Sequence, residues 1–303
     1  MSRPVVTVTV PASSANLGPG FDALGLALAW HDEVTVAVVD EPGVAVDVVG
    51  EGAATLPRDA SHLVVRALTA GFAAFGTAPP GLAVRCVNRI PQSRGLGSSA
   101  AAVLAGVLAA GALAGGTAPG SADALAVAAD LEGHPDNVAA ALFGGLTVAW
   151  AEGGAGRAVR LEPAEELAAT VFVPDRALDT ATARGLLPST VPHADAAHAA
   201  GRAALAVAAL TTRPDLLLAA TEDRLHQDYR APAMRESAAL VARLRDVGVA
   251  AVVSGAGPTV LALSAGPLPD VTAELVEPAR GGWSVRPVAV DRRGAVVAVG
   301  SAA

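Results

Sequence analysis

The chain has 303 residues, 52% of them hydrophobic, enough to bury a substantial core in one large domain or two ordinary ones, and two are expected. A net charge of −8 argues against nucleic acid as a partner, since binders of the phosphate backbone gather cationic patches that release counterions. All 21 cationic residues are arginine, which excludes Schiff-base chemistry and any phosphate loop that depends on a GK[ST] lysine.

In chain order, alternating or β-branched runs at Val5 to Val10, Glu33 to Val39 and Val44 to Val49 predict strands, followed by a helical period from His62 to Phe75. A strand over Leu82 to Asn88 leads through a loop, Arg89 to Gly97, into an Ala-rich helix from about Ser98. The apolar, uncharged run from Ser98 to Gly116 approaches membrane-spanning length, but its Ala and Gly content favours a buried helix, so no membrane partner is expected. Helices near Asp123 to Leu131 and after Pro135 precede the Gly144-Gly145 stop and a strand at Leu146 to Trp150. The Gly-rich stretch Ala151 to Gly156 marks the expected domain boundary. Beyond it, Thr170 to Val173 and Val249 to Val253 predict strands, and Ala194 to Leu210 and Ala233 to Val247 predict amphipathic helices.

Aromatic residues are only 3% of the chain, so small aliphatic side chains must fill the core. Cys86 is the single cysteine; it forms no internal disulfide and is expected to be packed, with a reducing cytoplasm as the location. The opening residues, broken by prolines and lacking a long apolar run, do not read as a signal peptide.

Three glycine-rich segments carry the chemistry. Pro11 to Leu28, PASSANLGPGFDALGLAL, reads as a tight turn that presents Asn16 and Asp22, or as a plain hairpin connection. Pro91 to Ala102, PQSRGLGSSAAA, runs from a strand into a helix, where convergent backbone N–H groups and the helix dipole favour a phosphate without lysine. Ser98 and Ser99 offer hydroxyls to a Mg²⁺ ion, and Ser98 is equally suited to capping the helix. Val253 to Leu263, VSGAGPTVLAL, reads as a strand, a glycine turn and a second strand.

Between them, LEGHPDNVAAALFGGL brings Glu132 to the end of one helix and His134, Asp136 and Asn137 to the start of the next. Glu132 suits Mg²⁺, Asp136 suits a helix cap, and His134, which lacks zinc-ligand company, suits a substrate hydrogen bond. Arg184 and Arg230, each in a polar cluster, either pair with surface carboxylates or hold a substrate carboxylate through their planar guanidinium groups.

In order and in wording, these segments resemble the GHMP kinases, the family of galactokinase, homoserine kinase, mevalonate kinase and phosphomevalonate kinase. The forms NLGPGFD, EGHPDN and LHQDYR resemble the branch that acts on homoserine. The resemblance covers nearly the whole chain and implies a two-domain α+β fold. Residues 1–152 would form a domain similar to ribosomal protein S5 domain 2, and residues 153–303 a ferredoxin-like domain. ATP, Mg²⁺ and L-homoserine would meet in the cleft between them, and a homodimer is among the assemblies this allows. By the same resemblance Pro91, Gln92, Ser93, Arg94, Gly95, Leu96, Gly97, Ser98, Ser99, Ala100 and Ala101 would cradle ATP, with Ser98, Ser99 and Glu132 serving the metal. Asn16, Asp22, His134, Arg184, Arg230 and Gly257 would hold the amino acid, its ammonium at Asn16 and Asp22 and its carboxylate at the arginines.

One position departs from the sister kinases. Where mevalonate kinase carries an aspartate proposed as catalytic base, this chain has Asn137, with Asp136 one residue earlier. An amide accepts no proton, and phosphoryl transfer through a loose transition state relies mainly on alignment and charge neutralisation. The rival readings are another small-molecule kinase of the family, acting on mevalonate or a sugar, and a non-catalytic sensor. Arg184 and Arg230 beside Asp22 count against the first, and an intact Ser98, Ser99 and Glu132 against the second.

Overall fold

The structure, a computed structural model, describes residues 4–77, 79, 81–115, 122–268 and 282–301. Its strands are β1 (Pro4–Asn16), β2 (Gly20–Val39), β3 (Gly43–Gly50), β4 (Gly81–Asn88), β5 (Leu146–Glu152), β6 (Ala155–Leu161), β7 (Leu167–Pro174), β8 (Ala250–Val253), β9 (Val260–Ala265), β10 (Trp283–Val288) and β11 (Val296–Ser301). Its α-helices are α1 (Leu63–Phe75), α2 (Ser98–Leu113), α3 (Ala122–Glu132), α4 (Asp136–Phe143), α5 (Thr180–Gly185), α6 (His193–Thr211), α7 (Leu217–Ala220), α8 (Gln227–Arg230) and α9 (Arg235–Asp246).

A seven-stranded sheet runs β11-β1-β2-β4-β3, with β5 paired to β2 and β6 to β5; a four-stranded sheet runs β10-β7-β9-β8. Alternation along β1 sends Val6, Val8 and Val10 into the core, where they meet α2 and α4. Helix α2 is apolar all round and is buried accordingly, with Val103, Leu104, Val107 and Leu108 fully covered. Its crossing with α1 depends on Gly106, because a Cβ there would stand 2.6 Å from both the Ala67 Cβ and the Val64 carbonyl oxygen. The second sheet packs its Phe172, Val260 and Ala262 against Leu240 and Leu244 of α9.

Every predicted strand and helix overlaps one of these elements, His62, Val249, Ala233, Met234 and Val247 falling just outside the observed ends. Cys86 is fully buried on β4, and burial pushes its thiol up to about 12, which leaves it unreactive. The apolar run from Ser98 forms α2 as far as Leu113, Gly116 lying outside the described residues. Among the described residues no helix is long and apolar enough to cross a membrane.

Two expectations change. The segment Pro11 to Leu28 is mostly strand: β1 continues to Asn16, the chain reverses over Leu17 to Pro19, and β2 begins at Gly20. Polar residues are tolerated in this buried strand because each finds a partner. The Ser13 N–H donates to the Leu96 carbonyl, and the Ser14 and Ser254 hydroxyls bond to each other at 2.8 Å. Ala151 to Gly156, expected as a linker, is the β5–β6 hairpin, with Trp150 opposite Arg157 and Glu152 opposite Ala155. Both β6 and β11 follow residue 152 yet complete the sheet that the first half begins.

Candidate active site

The loop between β4 and α2 is built from left-handed turns: Ser93, Gly95 and Gly97 have φ of 54°, 75° and 68°. Gly97 is the N-cap residue of α2, and no side chain caps that helix, so Ser98 is its first helical residue and not its cap. The first N–H groups of α2 are therefore left for a ligand, and with the helix dipole behind them they suit an anion. The loop is held from below. A Cβ at Gly97 would stand 2.1 Å from Ser13 Oγ and 3.1 Å from Asn137 Oδ1, while Ser254 Oγ donates to the Gly95 carbonyl at 2.6 Å.

A cavity of about 440 Å³ opens over this loop. Of the expected cradle, Gln92, Ser93, Gly95, Gly97, Ser98 and Ser99 line it. Pro91, Leu96, Ala100 and Ala101 are buried behind it. Arg94 turns away from it: its guanidinium donates to the carbonyls of Gln92, Pro174 and Asp175, tying the loop to the end of β7. Loop phosphates would thus meet backbone amides and serine hydroxyls rather than this arginine.

Glu132 ends α3 beside the loop, where its carboxylate accepts from Ser99 Oγ at 2.5 Å. Burial raises its pKa, a penalty on the charged form that a bound cation would offset. Pro135, not Asp136, is the N-cap of α4. Asp136 Oδ1 accepts from His134 Nδ1 at 2.8 Å and from the Asn137 N–H at 2.7 Å, and the first of these hydrogen bonds raises the His134 pKa. Asn137 Oδ1 accepts from Ser13 Oγ at 2.9 Å. His134, Asp136 and Asn137 all line the cavity.

Across the cavity the β1–β2 turn supplies Asn16 and Asp22, both at positive φ. The buried Asn16 side chain is a staple: Oδ1 accepts from the Asp22 N–H at 3.0 Å and Nδ2 donates to the Gly255 carbonyl at 2.8 Å. Arg184 on α5 meets Asp22 in a two-pronged ion pair, Nη1 to Oδ2 at 3.1 Å and Nη2 to Oδ1 at 2.8 Å. Arg230 on α8 is only 1% exposed, yet among the described residues no carboxylate pairs with it. Its guanidinium donates instead to the Ala183 carbonyl, the Gly255 carbonyl and His226 Nδ1, each at 3.3 Å. Burial, then the like charge of Arg184, lowers its pKa. Gly257 does not line the cavity; its Cα faces Met234, and the neighbouring Gly255 and Ala256 take its place.

The cavity adds residues that sequence reading passed over. Asp32 of β2 accepts the Arg89 and Ile90 N–H groups at 2.6 and 2.8 Å, anchoring the start of the phosphate loop, and burial raises its pKa. His62 caps α1: its Nδ1 accepts from the Val64 N–H at 3.3 Å, so the neutral ring carries its proton on Nε2, which is buried and unpartnered in the wall. Asp32 precedes the predicted strand Glu33 to Val39 and His62 opens a predicted helix; only the fold aims them at one space.

An amide-lined loop at a helix start, a carboxylate beside it and a charged amino-acid-sized subsite opposite define a small-molecule phosphotransferase. The description "GHMP kinases N terminal domain" matches residues 62–145 and "GHMP kinases C terminal" matches residues 205–277. The chain is 58% identical to the homoserine kinase of Streptomyces avermitilis over 294 residues, 96% of this chain and 95% of the relative. It is 57% identical to that of Streptomyces coelicolor over 295 residues, 96% and 94% of the two chains. The crystal structure of homoserine kinase from Cytophaga hutchinsonii superimposes with a TM-score of 0.83 at 27% identity, covering 97% of each chain. The chain belongs to the homoserine kinases of the GHMP kinase family.

Proposed function

We propose that the chain transfers the γ-phosphoryl group of ATP to the side-chain hydroxyl of L-homoserine, giving O-phospho-L-homoserine for threonine biosynthesis. The observation that carries this reading is Arg230. A guanidinium that is 1% exposed, lines the cavity and has no carboxylate of its own among the described residues calls for an anionic ligand group. The Arg184–Asp22 pair beside it gives the same ligand a second guanidinium and a carboxylate for its ammonium. An α-amino acid carries both charges on one carbon; mevalonate lacks the ammonium and a sugar lacks both.

In this reading the left-handed loop and the uncapped start of α2 bind the triphosphate. Glu132, with Ser98 or Ser99, suits Mg²⁺, which prefers one or two carboxylates plus phosphate oxygens and water. When bound, that ion screens the charge of the β- and γ-phosphates. The homoserine oxygen then bonds to Pγ as the bridging bond to ADP breaks and its electron pair leaves with ADP. Asn137 accepts no proton. Asp136 Oδ1 is already engaged by His134 and the Asn137 N–H, so the hydroxyl proton leaves late, to phosphate. Alignment and charge neutralisation supply the rate. The reaction belongs in the cytoplasm, where ATP is available and the buried Cys86 thiol stays reduced.

A coupled ADP-release assay across homoserine, mevalonate, galactose and no acceptor tests the reading. Release that depends on homoserine, with the phosphorylated product identified, supports it; release indifferent to the acceptor removes it.

A further inference from the structure

Phe21 directly precedes Asp22 in β2, but it does not line the cavity. Its ring centroid is 5.9 Å from the Arg184 Cζ, 5.3 Å from the Arg230 Cζ and 5.2 Å from the His226 ring. Both guanidinium groups do line the cavity, so the ring forms part of the wall behind them. Two cations this close repel each other. The electron-rich face of an aromatic ring attracts a guanidinium within roughly 6 Å of its centroid without adding a formal charge.

Asp22 pairs with Arg184, whereas the contact that Arg230 makes with His226 brings no charge. His226 is fully buried, and its Nε2 donates to the Gly18 carbonyl at 2.9 Å. That fixes the tautomer: the proton is on Nε2, and Nδ1 presents the lone pair that accepts from Arg230 Nη1 at 3.3 Å. Burial also lowers the His226 pKa, which keeps the ring neutral. The Asp223 carboxylate lies 3.7 Å from Nε2, the nitrogen opposite the one that meets Arg230, with its oxygens taken by the N–H groups of Leu225, His226 and Gln227.

We propose that Phe21, backed by the neutral His226, is a positioning residue of the carboxylate subsite that holds the Arg184 and Arg230 guanidinium groups together while leaving the charge of Arg230 unneutralised for the substrate. A carboxylate in the same place would also gather two arginines, but it would compete with the ligand. A ring does not. The inference rests on the reading of the site as a homoserine subsite. It adds that the residue just before Asp22 selects for an anionic group without touching it.

The test compares homoserine with 3-aminopropan-1-ol, the same amino alcohol without its carboxylate. Phe21→Leu keeps an apolar side chain and removes the ring. The expected result is a Kd or KM for homoserine raised roughly tenfold, with the KM for ATP and the Kd of 3-aminopropan-1-ol unchanged. Replacing Phe21 by pentafluorophenylalanine keeps the shape and inverts the charge distribution of the ring, and should weaken homoserine at least as much. Equal weakening of both ligands in Phe21→Leu, or full homoserine affinity in the fluorinated protein, would overturn the proposal. Wild-type protein that phosphorylates no homoserine would instead remove the reading beneath it, so the two failures are distinct.

Discussion

Arg184 and Asp22 hold each other through two hydrogen bonds, 3.1 and 2.8 Å, although the proposed reading assigns one to a substrate carboxylate and the other to its ammonium. The substrate's ammonium must therefore share or take over a carboxylate that a guanidinium already occupies. Removing Arg184 should divide the two halves of recognition. In Arg184→Ala, homoserine affinity is expected to fall by about 10- to 100-fold through the lost carboxylate contact. The affinity of 3-aminopropan-1-ol should hold or rise, because Asp22 is freed. Calorimetric titration of both ligands checks this.

Arg230 presents the opposite case, a buried cation with which no carboxylate pairs among the described residues. Arg230→Gln should raise the homoserine KM by about 100-fold or more while changing the ATP KM little. Because the protein then no longer buries an unpaired charge, its thermal stability should be unchanged or higher. Steady-state kinetics and a melting curve on one preparation test both halves.

Gly97 carries φ +68°, and a Cβ there would fall 2.1 Å from Ser13 Oγ. Gly97→Ala is expected to cost about 1–2 kcal/mol of stability from the left-handed backbone alone. Displacing Ser13 and Asn137 beneath the loop should abolish measurable ATP binding. Retained nucleotide affinity would mean that the loop does not hold the triphosphate.

Asp136 tests whether any side chain takes the hydroxyl proton. A positioned general base contributes about 10²–10⁴-fold, whereas loss of a buried hydrogen-bond anchor disturbs alignment alone. Asp136→Asn should reduce kcat by about tenfold and leave ATP binding intact. Complete loss of turnover with normal nucleotide binding would make Asp136 the base.

His62 gives the pH dependence. Burial, then the positive field of Arg58, pushes its pKa below 6.5 in the folded chain. The unfolded chain then binds more protons as pH falls, so the stability present above about pH 6.5 is lost as pH drops from there through the folded-state value. Denaturant unfolding at about pH 7.5 and about pH 5.5 should show that loss in the wild type and a smaller one in His62→Gln, which keeps an acceptor for the helix start.

How much of this was legible beforehand follows from how local each signal is. The phosphate loop, α2 and α4 announce themselves through contiguous glycines and periodic apolar residues. Glu132, His134, Asp136 and Asn137 follow because they lie at the ends of such elements. β11 could not be seen as an edge of the first sheet, since its partner β1 begins nearly three hundred residues earlier and only folding brings Val6 opposite Val299. Asn16 looked like a substrate ligand because polar residues in an apolar stretch suggest a site. It lines the cavity, and its amide also bonds Asp22 and Gly255, a role that exists only once two distant turns meet. Arg94, placed in the cradle by resemblance, gives its guanidinium to three backbone carbonyls, two of them at the distant Pro174 and Asp175.

The most direct measurement is the specificity constant of the wild-type protein for homoserine against its two half-charged analogues, 3-aminopropan-1-ol and 4-hydroxybutanoate, with ATP saturating. Capture of both poles by Asp22, Arg184 and Arg230 should favour homoserine by about a thousandfold over either one. A preference of less than about tenfold over either analogue would contradict it.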